Sequence, residues 1–183
     1  MIKVVSNVLT KQELLSLYKG LLDTSFWNIN VNAVKINNSN VYPNLYPGVE
    51  LLRNGEPVQN NPYWIGYFSC LFDRINQKLL EQHNFTMSRN IDRIRLNAQD
   101  RDREVDFHVD NQTNETLSIV GFLTPDWASD WKGGLNVEGK TYEYKPGEFI
   151  VFDSNLMHKP ETFIKQNLYW RISVNYVIKK SHT

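Results

Sequence analysis

Asp106-Phe107-His108-Val109-Asp110 is followed fifty residues later by His158, and then by Trp170-Arg171-Ile172-Ser173-Val174-Asn175-Tyr176. In the last of these stretches Trp170, Ile172, Val174 and Tyr176 fall on one side of an alternating pattern and Arg171 and Ser173 on the other. That is the period of a strand with one buried face. An arginine on the polar face of a core strand demands an anionic partner, because its charge cannot be removed and is expensive to bury alone. In the first stretch the same alternation puts His108 on one face with both Asp106 and Asp110. Two imidazoles and one carboxylate on a β-scaffold form the protein half of a facial metal triad, which leaves three coordination positions for other ligands. Spacing alone does not choose between the two aspartates.

The period of two extends in both directions from here. It predicts strands at Ile91 to Ala98, Val105 to Asp110, Leu117 to Leu123, Gly134 to Val137, Thr141 to Tyr144, Phe149 to Phe152, a short piece near Glu161 to Phe163, and Trp170 to Ile178. Upstream the period changes. A short strand over Val4 to Leu9 precedes Thr10-Lys11-Gln12-Glu13, a capping box, after which Leu14, Leu17, Tyr18, Leu21 and Leu22 recur at helical spacing. Pro62 opens a second amphipathic helix marked by Trp64, Phe68, Leu71, Phe72, Ile75 and Leu79 and ending near His83-Asn84. Between the helices, residues 37–61 are rich in Asn, Pro and Gly and read as a long loop. Its Tyr42 to Pro47 portion is a candidate lid. The expected fold class is mainly β with supporting helices (α+β), in a single domain over residues 1–183. Residues 1–90 supply helices and lid, and residues 91–178 supply an antiparallel sandwich or barrel.

Composition narrows the function. Of 183 residues, 41% are apolar and 22% charged, so the chain belongs with ordinary globular domains and not with disordered ones. Twenty basic and twenty acidic side chains cancel, so nucleic acid is not favoured as a partner and no anionic membrane is implied. The single cysteine, Cys70, excludes an internal disulfide and a CxxC metal site. It leaves the four histidines and the carboxylates as metal ligands. With no signal-peptide-like start and no long apolar run, a cytoplasmic location is expected.

Gly134-Leu-Asn-Val-Glu-Gly139-Lys140-Thr141 satisfies the GxxxxGK[ST] phosphate-loop pattern letter for letter. That loop needs a helix opening at its Lys-Thr, whereas Tyr142-Glu143-Tyr144 alternates like a strand and Pro146-Gly147 would stop a helix. Glu138-Gly139 reads instead as the turn of a β-hairpin.

The ordered set His-x-Asp, distal His and Arg-x-Ser resembles the iron(II)- and 2-oxoglutarate-dependent dioxygenases. Leu123-Thr-Pro-Asp126-Trp127 followed by Gly133-Gly134-Leu135, and Pro146-Gly147-Glu148-Phe149 ahead of His158, look like the prolyl hydroxylase branch. The resemblance spans roughly Ile91 to Ile178. It implies a double-stranded β-helix (jelly-roll, cupin-like) core with Fe(II) held by His108, Asp110 and His158. It further implies 2-oxoglutarate anchored by Arg171 with Ser173, O2 as oxidant, succinate and CO2 as co-products, and ascorbate as a candidate reductant. One departure stands out: Phe122 occupies the position where hypoxia-sensing prolyl hydroxylases carry a tyrosine.

The activity so implied is hydroxylation of an unactivated C–H bond, foremost in a prolyl or other residue of a peptide or protein. The same chemistry on a free amino acid, small metabolite or nucleobase is the first alternative. A non-catalytic jelly-roll module holding zinc or nickel is the second. The remaining conspicuous residues have simpler readings. Cys70 is expected to pack in the core, Arg93 and Arg95 to be rim charges, and Trp127 and Trp131 to close a core near the Gly-Gly turn. His83 and His182 are assigned to the background, and Asp100 to Glu104 to a solvated loop, with contact to substrate as the alternative.

Overall fold

The computed structural model describes residues 1–36, 40–58, 60–100, 105–164 and 170–180, of which 29–36 and 40–46 are described at the level of the backbone. Helix α1, Lys11–Leu22, starts at the capping box read from the sequence. The Thr10 hydroxyl accepts from the Glu13 amide, and the Glu13 carboxylate accepts from the Thr10 amide at 2.8 Å. Helix α2, Pro62–His83, is capped by the Asn61 side chain and closed by Asn84 in the left-handed region. The two helices bury Leu14, Leu17 and Leu21, and Trp64, Phe68, Leu71, Phe72, Ile75 and Leu79. At about 2 kcal/mol per fully buried large apolar side chain, these faces hold the helices on the sheet. Cys70 points away: it is exposed, contrary to the packing expectation, because the helical period that buries Phe68 and Leu71 turns position 70 to the opposite side. No described helix is long and apolar enough to cross a membrane.

The strands are β1 (Ile2–Val5), β2 (Asn28–Ile36), β3 (Asn40–Arg53), β4 (Glu56–Pro57), β5 (Ile91–Gln99), β6 (Thr116–Phe122), β7 (Leu135–Val137), β8 (Lys140–Tyr142), β9 (Phe149–Asp153), β10 (His158–Pro160) and β11 (Arg171–Lys179). They form a large antiparallel sheet in the order β1-β9-β6-β11-β5-β3-β2, with β4 on β3, and a small sheet in the order β10-β7-β8. One face of the large sheet packs on the helices through Ile94, Leu96, Ala98, Ile172, Val174 and Tyr176. There the buried Tyr176 hydroxyl donates to the Phe68 carbonyl of α2 at 2.9 Å. The other face meets the small sheet through Phe122, Leu135, Val137, Tyr144, Ile150 and Phe152. This is the jelly-roll arrangement expected.

The strict alternation of β5 and β11 places the site. Their apolar positions face the helices. Arg93, Arg95, Asn97 and Gln99 of β5, and Arg171, Ser173 and Asn175 of β11, face the other way. The register puts Arg171 opposite Gln99, Ser173 opposite Asn97, and Asn175 opposite Arg95.

Four segments differ from the sequence reading. Residues 40–53, read as part of a lid loop, form a long strand that pairs with β2 from Asn40 to Gly48 and with β5 from Gly48 onward. Pro43 and Pro47 disguise it, yet both lie in the half that pairs with β2 and precedes the β5 ladder, a location where proline is tolerated. Val105 to Asp110 is not a regular strand; it makes a single bridge at His108. The first strand stops at Val5, and Asn7 turns with φ 58° before Thr10. The strand expected near Glu161 is instead His158–Pro160, with Phe163 making one bridge to Lys132. The rejection of the phosphate loop stands, because Glu138 and Gly139 (φ 51° and 79°) form the two-residue turn between β7 and β8 and a strand follows.

Candidate metal centre and its cavity

The two histidines singled out by sequence are each other's backbone partners. The His108 amide donates to the His158 carbonyl at 3.0 Å, and the His158 amide donates to the His108 carbonyl at 2.9 Å. The Asp110 amide then donates to the Ser154 carbonyl at 3.0 Å, which fixes the aspartate beside β9. In consequence one ligand atom from each of His108, Asp110 and His158 lies within 4.8 Å of the others. Asp106, the alternative carboxylate, is exposed and stands outside this group.

The tautomers are set by matching contacts. His108 Nδ1 lies 3.0 Å from the Asp106 carbonyl, and His158 Nδ1 lies 2.9 Å from the Leu156 carbonyl. Each imidazole therefore uses Nδ1–H on the main chain two residues back and keeps Nε2 for the cluster, the arrangement that orients metal-ligating histidines. His158 Nε2 is 3.6 Å from Asp110 Oδ2. Burial pushes the His158 imidazole below its ordinary value, outweighing the Asp110 charge, so it is neutral and a competent donor at pH 7. For Asp110 burial acts upward. The Arg93 charge and the Ser118 and Asn175 hydrogen bonds act against it, and the carboxyl is held below the usual range. His158 is 2% exposed whereas His108 is open to solvent, so the cluster has a closed side and an accessible one. Three nitrogen and oxygen donors, with the remaining directions facing a cavity, suit an Fe(II) centre of the facial-triad type.

That cavity, about 330 Å³, is lined by the triad together with Arg93, Arg95, Asn97 and Ser173 among others. A larger groove of about 500 Å³ between α1 and α2 shares none of its residues.

Arg171 is only 4% exposed. Its Nη1 donates to the carbonyls of Gly133 and Glu161, the latter at 2.8 Å, and its Nη2 donates to the Gln99 side-chain oxygen. Gly133 makes room for it, and Gly134 makes room for the neighbouring β8 backbone. A Cβ on Gly133, which has φ 81°, would sit 2.9 Å from Arg171 Nη1, and one on Gly134 would sit 2.0 Å from the Tyr142 carbonyl oxygen. Phe122, the position that departs from the prolyl hydroxylase pattern, is buried with its ring 4.4 Å from Tyr144. The Tyr144 hydroxyl is engaged by Thr124, accepting from its amide at 2.8 Å. Trp127 packs on Tyr144 and Phe163, as the core-closing expectation has it.

The sequence reading missed the groups that hold Asp110. Arg93 Nη2 donates to Asp110 Oδ1 at 2.5 Å and to the Asn175 side-chain oxygen at 3.0 Å, so it is no rim charge. Ser118 Oγ donates to Asp110 Oδ2 at 2.6 Å, and Asn175 Nδ2 reaches the same oxygen at 3.2 Å. The alternation Arg93-x-Arg95-x-Asn97-x-Gln99 marks a polar face of β5 but looks like an ordinary solvent-facing side, so it gave no warning of the contact. Of the other candidates, His83 is a background residue whose Nε2 meets the Val4 carbonyl at 2.6 Å. His182 and residues 101–104 lie outside the described residues.

Neither a family model nor a curated protein matches the chain in sequence. Solved structures do match in fold. A 2OG-Fe(II) oxygenase family oxidoreductase from Burkholderia pseudomallei superposes with a TM-score of 0.69 at 16% identity, covering 97% of this chain and 84% of that one. A Pseudomonas putida prolyl-4-hydroxylase gives 0.67 at 12% identity, covering 99% and 93%. A Trichoplax adhaerens prolyl hydroxylase, in complex with a hypoxia inducible factor oxygen degradation domain peptide fragment, gives 0.62 at 16% identity, covering 98% and 83%. The chain has the double-stranded β-helix fold of the 2OG-Fe(II) oxygenases, prolyl hydroxylases included.

Proposed function

We propose that the protein is an Fe(II)- and 2-oxoglutarate-dependent oxygenase that hydroxylates a C–H bond in a prolyl or other residue of a peptide or protein. The observation that carries this reading is the convergence of His108, Asp110 and His158 on one cavity, whose lining residue Gln99 accepts from the buried cation Arg171, four residues along β11 from the Asp110 partner Asn175. Four strand residues span ~13 Å. An extended dicarboxylate chelated at the triad, together with the length of an arginine side chain, fits that span. A purely structural metal site has no use for the second, buried cation, which argues against the module that merely holds zinc or nickel.

His108, Asp110 and His158 would hold the iron through Nε2, a carboxylate oxygen and Nε2, in a cavity that keeps further positions accessible. Iron bound there, with 2-oxoglutarate and O2, supplies the oxidising chemistry: one oxygen atom enters succinate as CO2 leaves, and the other enters the substrate C–H bond. Arg171 would pair with the distal carboxylate of 2-oxoglutarate, with the Ser173 hydroxyl as a further donor from the same strand face. Val105, Val109, Val120 and Leu135 supply the apolar part of the cavity lining. Support for a peptide substrate comes from the Trichoplax neighbour, which carries a bound peptide. The cytoplasm, with ascorbate as reductant, is the proposed setting.

The test is Fe(II)-dependent conversion of 2-oxoglutarate to succinate by the purified protein, followed by a search for a +16 Da product across candidate peptides and amino acids. Succinate that appears only with Fe(II) and vanishes in Asp110→Ala supports the reading. No succinate, with zinc retained through purification, overturns it.

A further inference from the structure

The candidate ligand Asp110 is held on both oxygens before any metal is considered. Oδ1 accepts from Arg93 Nη2 at 2.5 Å. Oδ2 accepts from Ser118 at 2.6 Å and from Asn175 at 3.2 Å, and the same Oδ2 is the oxygen that faces His158 Nε2 at 3.6 Å. The clamp is braced in turn. Arg93 Nη2 also donates to the Asn175 oxygen at 3.0 Å, and Ser118 Oγ lies 2.9 Å from Ser154 Oγ. Arg93 comes from β5, Ser118 from β6, Asn175 from β11 and Ser154 from just beyond β9, so four neighbouring segments of the large sheet fix one carboxylate.

Building on the metal reading above, we infer that Arg93 is a positioning residue for the metal centre. By occupying Oδ1 it limits Asp110 to one coordinating oxygen, Oδ2, and sets the plane of the carboxylate toward His158 and His108. A carboxylate free on both oxygens can swing or bind a metal through both. One whose outer oxygen carries a guanidinium cannot without breaking a charge-assisted hydrogen bond in a pocket where Asp110 is only 7% exposed. Outer partners of this kind typically account for 10- to 100-fold in metal affinity. The role is specific to an arginine at position 93: the neighbouring arginine on the same strand face, Arg95, stands opposite Asn175 in register, and the Asp110 contact belongs to Arg93.

The experiment titrates the full chain with Mn(II), read by electron paramagnetic resonance, and with Co(II), read by its visible spectrum. Wild type, Arg93→Gln, Arg93→Lys and Asp110→Ala are compared. The expected result is a 10- to 100-fold weaker Mn(II) affinity in Arg93→Gln, partial recovery in Arg93→Lys, and a Co(II) spectrum altered in Arg93→Gln as Asp110 becomes free to bind through both oxygens. Manganese affinity within threefold of wild type in both arginine variants, with an unchanged cobalt spectrum, overturns the inference while leaving the metal reading intact, provided Asp110→Ala abolishes binding. Wild-type protein that binds neither ion overturns both. Should Arg93→Gln fail to fold, Asn175→Ala, which removes one brace of the same clamp, is expected to weaken Mn(II) binding and change the cobalt spectrum in the same direction. Its failure to do either counts against the inference equally.

Discussion

His108 and His158 exchange both of their backbone hydrogen bonds, so each imidazole is placed by the main chain of the other. The short extended segment that carries both His108 and Asp110 is thereby pinned to the small sheet at one of the two side chains it supplies to the centre. The pairing also explains how ligands fifty positions apart in sequence share a site without a continuous strand between them.

Asp110 and not Asp106 belongs to that centre. Asp110→Ala should abolish Mn(II) binding and Fe(II)-dependent succinate formation, a loss larger than the ~10–100-fold that outer partners contribute. Asp106→Ala, at an exposed position whose backbone carbonyl alone meets His108, should leave both within about threefold. Metal titration of the two variants side by side decides the assignment.

Arg171 should govern cosubstrate affinity. Arg171→Met is expected to weaken 2-oxoglutarate binding by about 10- to 100-fold, the equivalent of one charge-assisted pair, with Mn(II) affinity little changed. Calorimetric titration of the Mn(II)-loaded variant with 2-oxoglutarate checks this. A variant that bound 2-oxoglutarate as tightly as wild type would remove Arg171 from the cosubstrate site.

The Gly-Gly turn should be intolerant of a side chain. A Cβ at Gly134 would overlap a backbone oxygen at 2.0 Å, which cannot rotate away, so Gly134→Ala should destabilise by about 3 kcal/mol. Gly139→Ala meets no atom within 4 Å. It should lose much less, about 1 kcal/mol, from the strain of its positive φ alone. Urea unfolding of both variants supplies the comparison.

The α1 cap should show in the acid limb of stability. Hydrogen bonding to Arg74, aided by Thr10, lowers Glu13 to about 2 from 4.5. A depressed carboxylate contributes stability above the unfolded value that is lost as pH falls through the folded one. The difference between wild type and Glu13→Ala, about 1 kcal/mol at pH 6 for an exposed, solvent-screened pair and cap, should therefore fade between pH 4.5 and 2. Thermal melts across that range measure it.

What the sequence made legible follows physical visibility. Both helices declare themselves through caps and a 3.6-residue period, the β5 and β11 strands through alternation, and β6 and β9 through short apolar runs buried on both faces. The triad was readable through the ordered set of His-x-Asp, distal His and Arg-x-Ser, with the choice of Asp110 over Asp106 resting on the family resemblance and not on spacing. The β2–β3 hairpin was not, since Pro43, Pro47 and a series of asparagines carry the local chemistry of a loop, and only the pairing between the two strands overrides it. Nor was the Arg93–Asp110 contact, which joins residues seventeen apart on separate segments and depends on which face of β5 looks inward. Cys70 was misplaced for the opposite reason: aromatic neighbours in sequence are not neighbours on a helix surface.

Asp110 already possesses its counter-charge within the fold. A buried carboxylate without a partner would be costly to fold around. Because Arg93, Ser118 and Asn175 satisfy it from the strands themselves, folding is expected not to wait on iron, and chelation of the metal is expected to leave the fold standing.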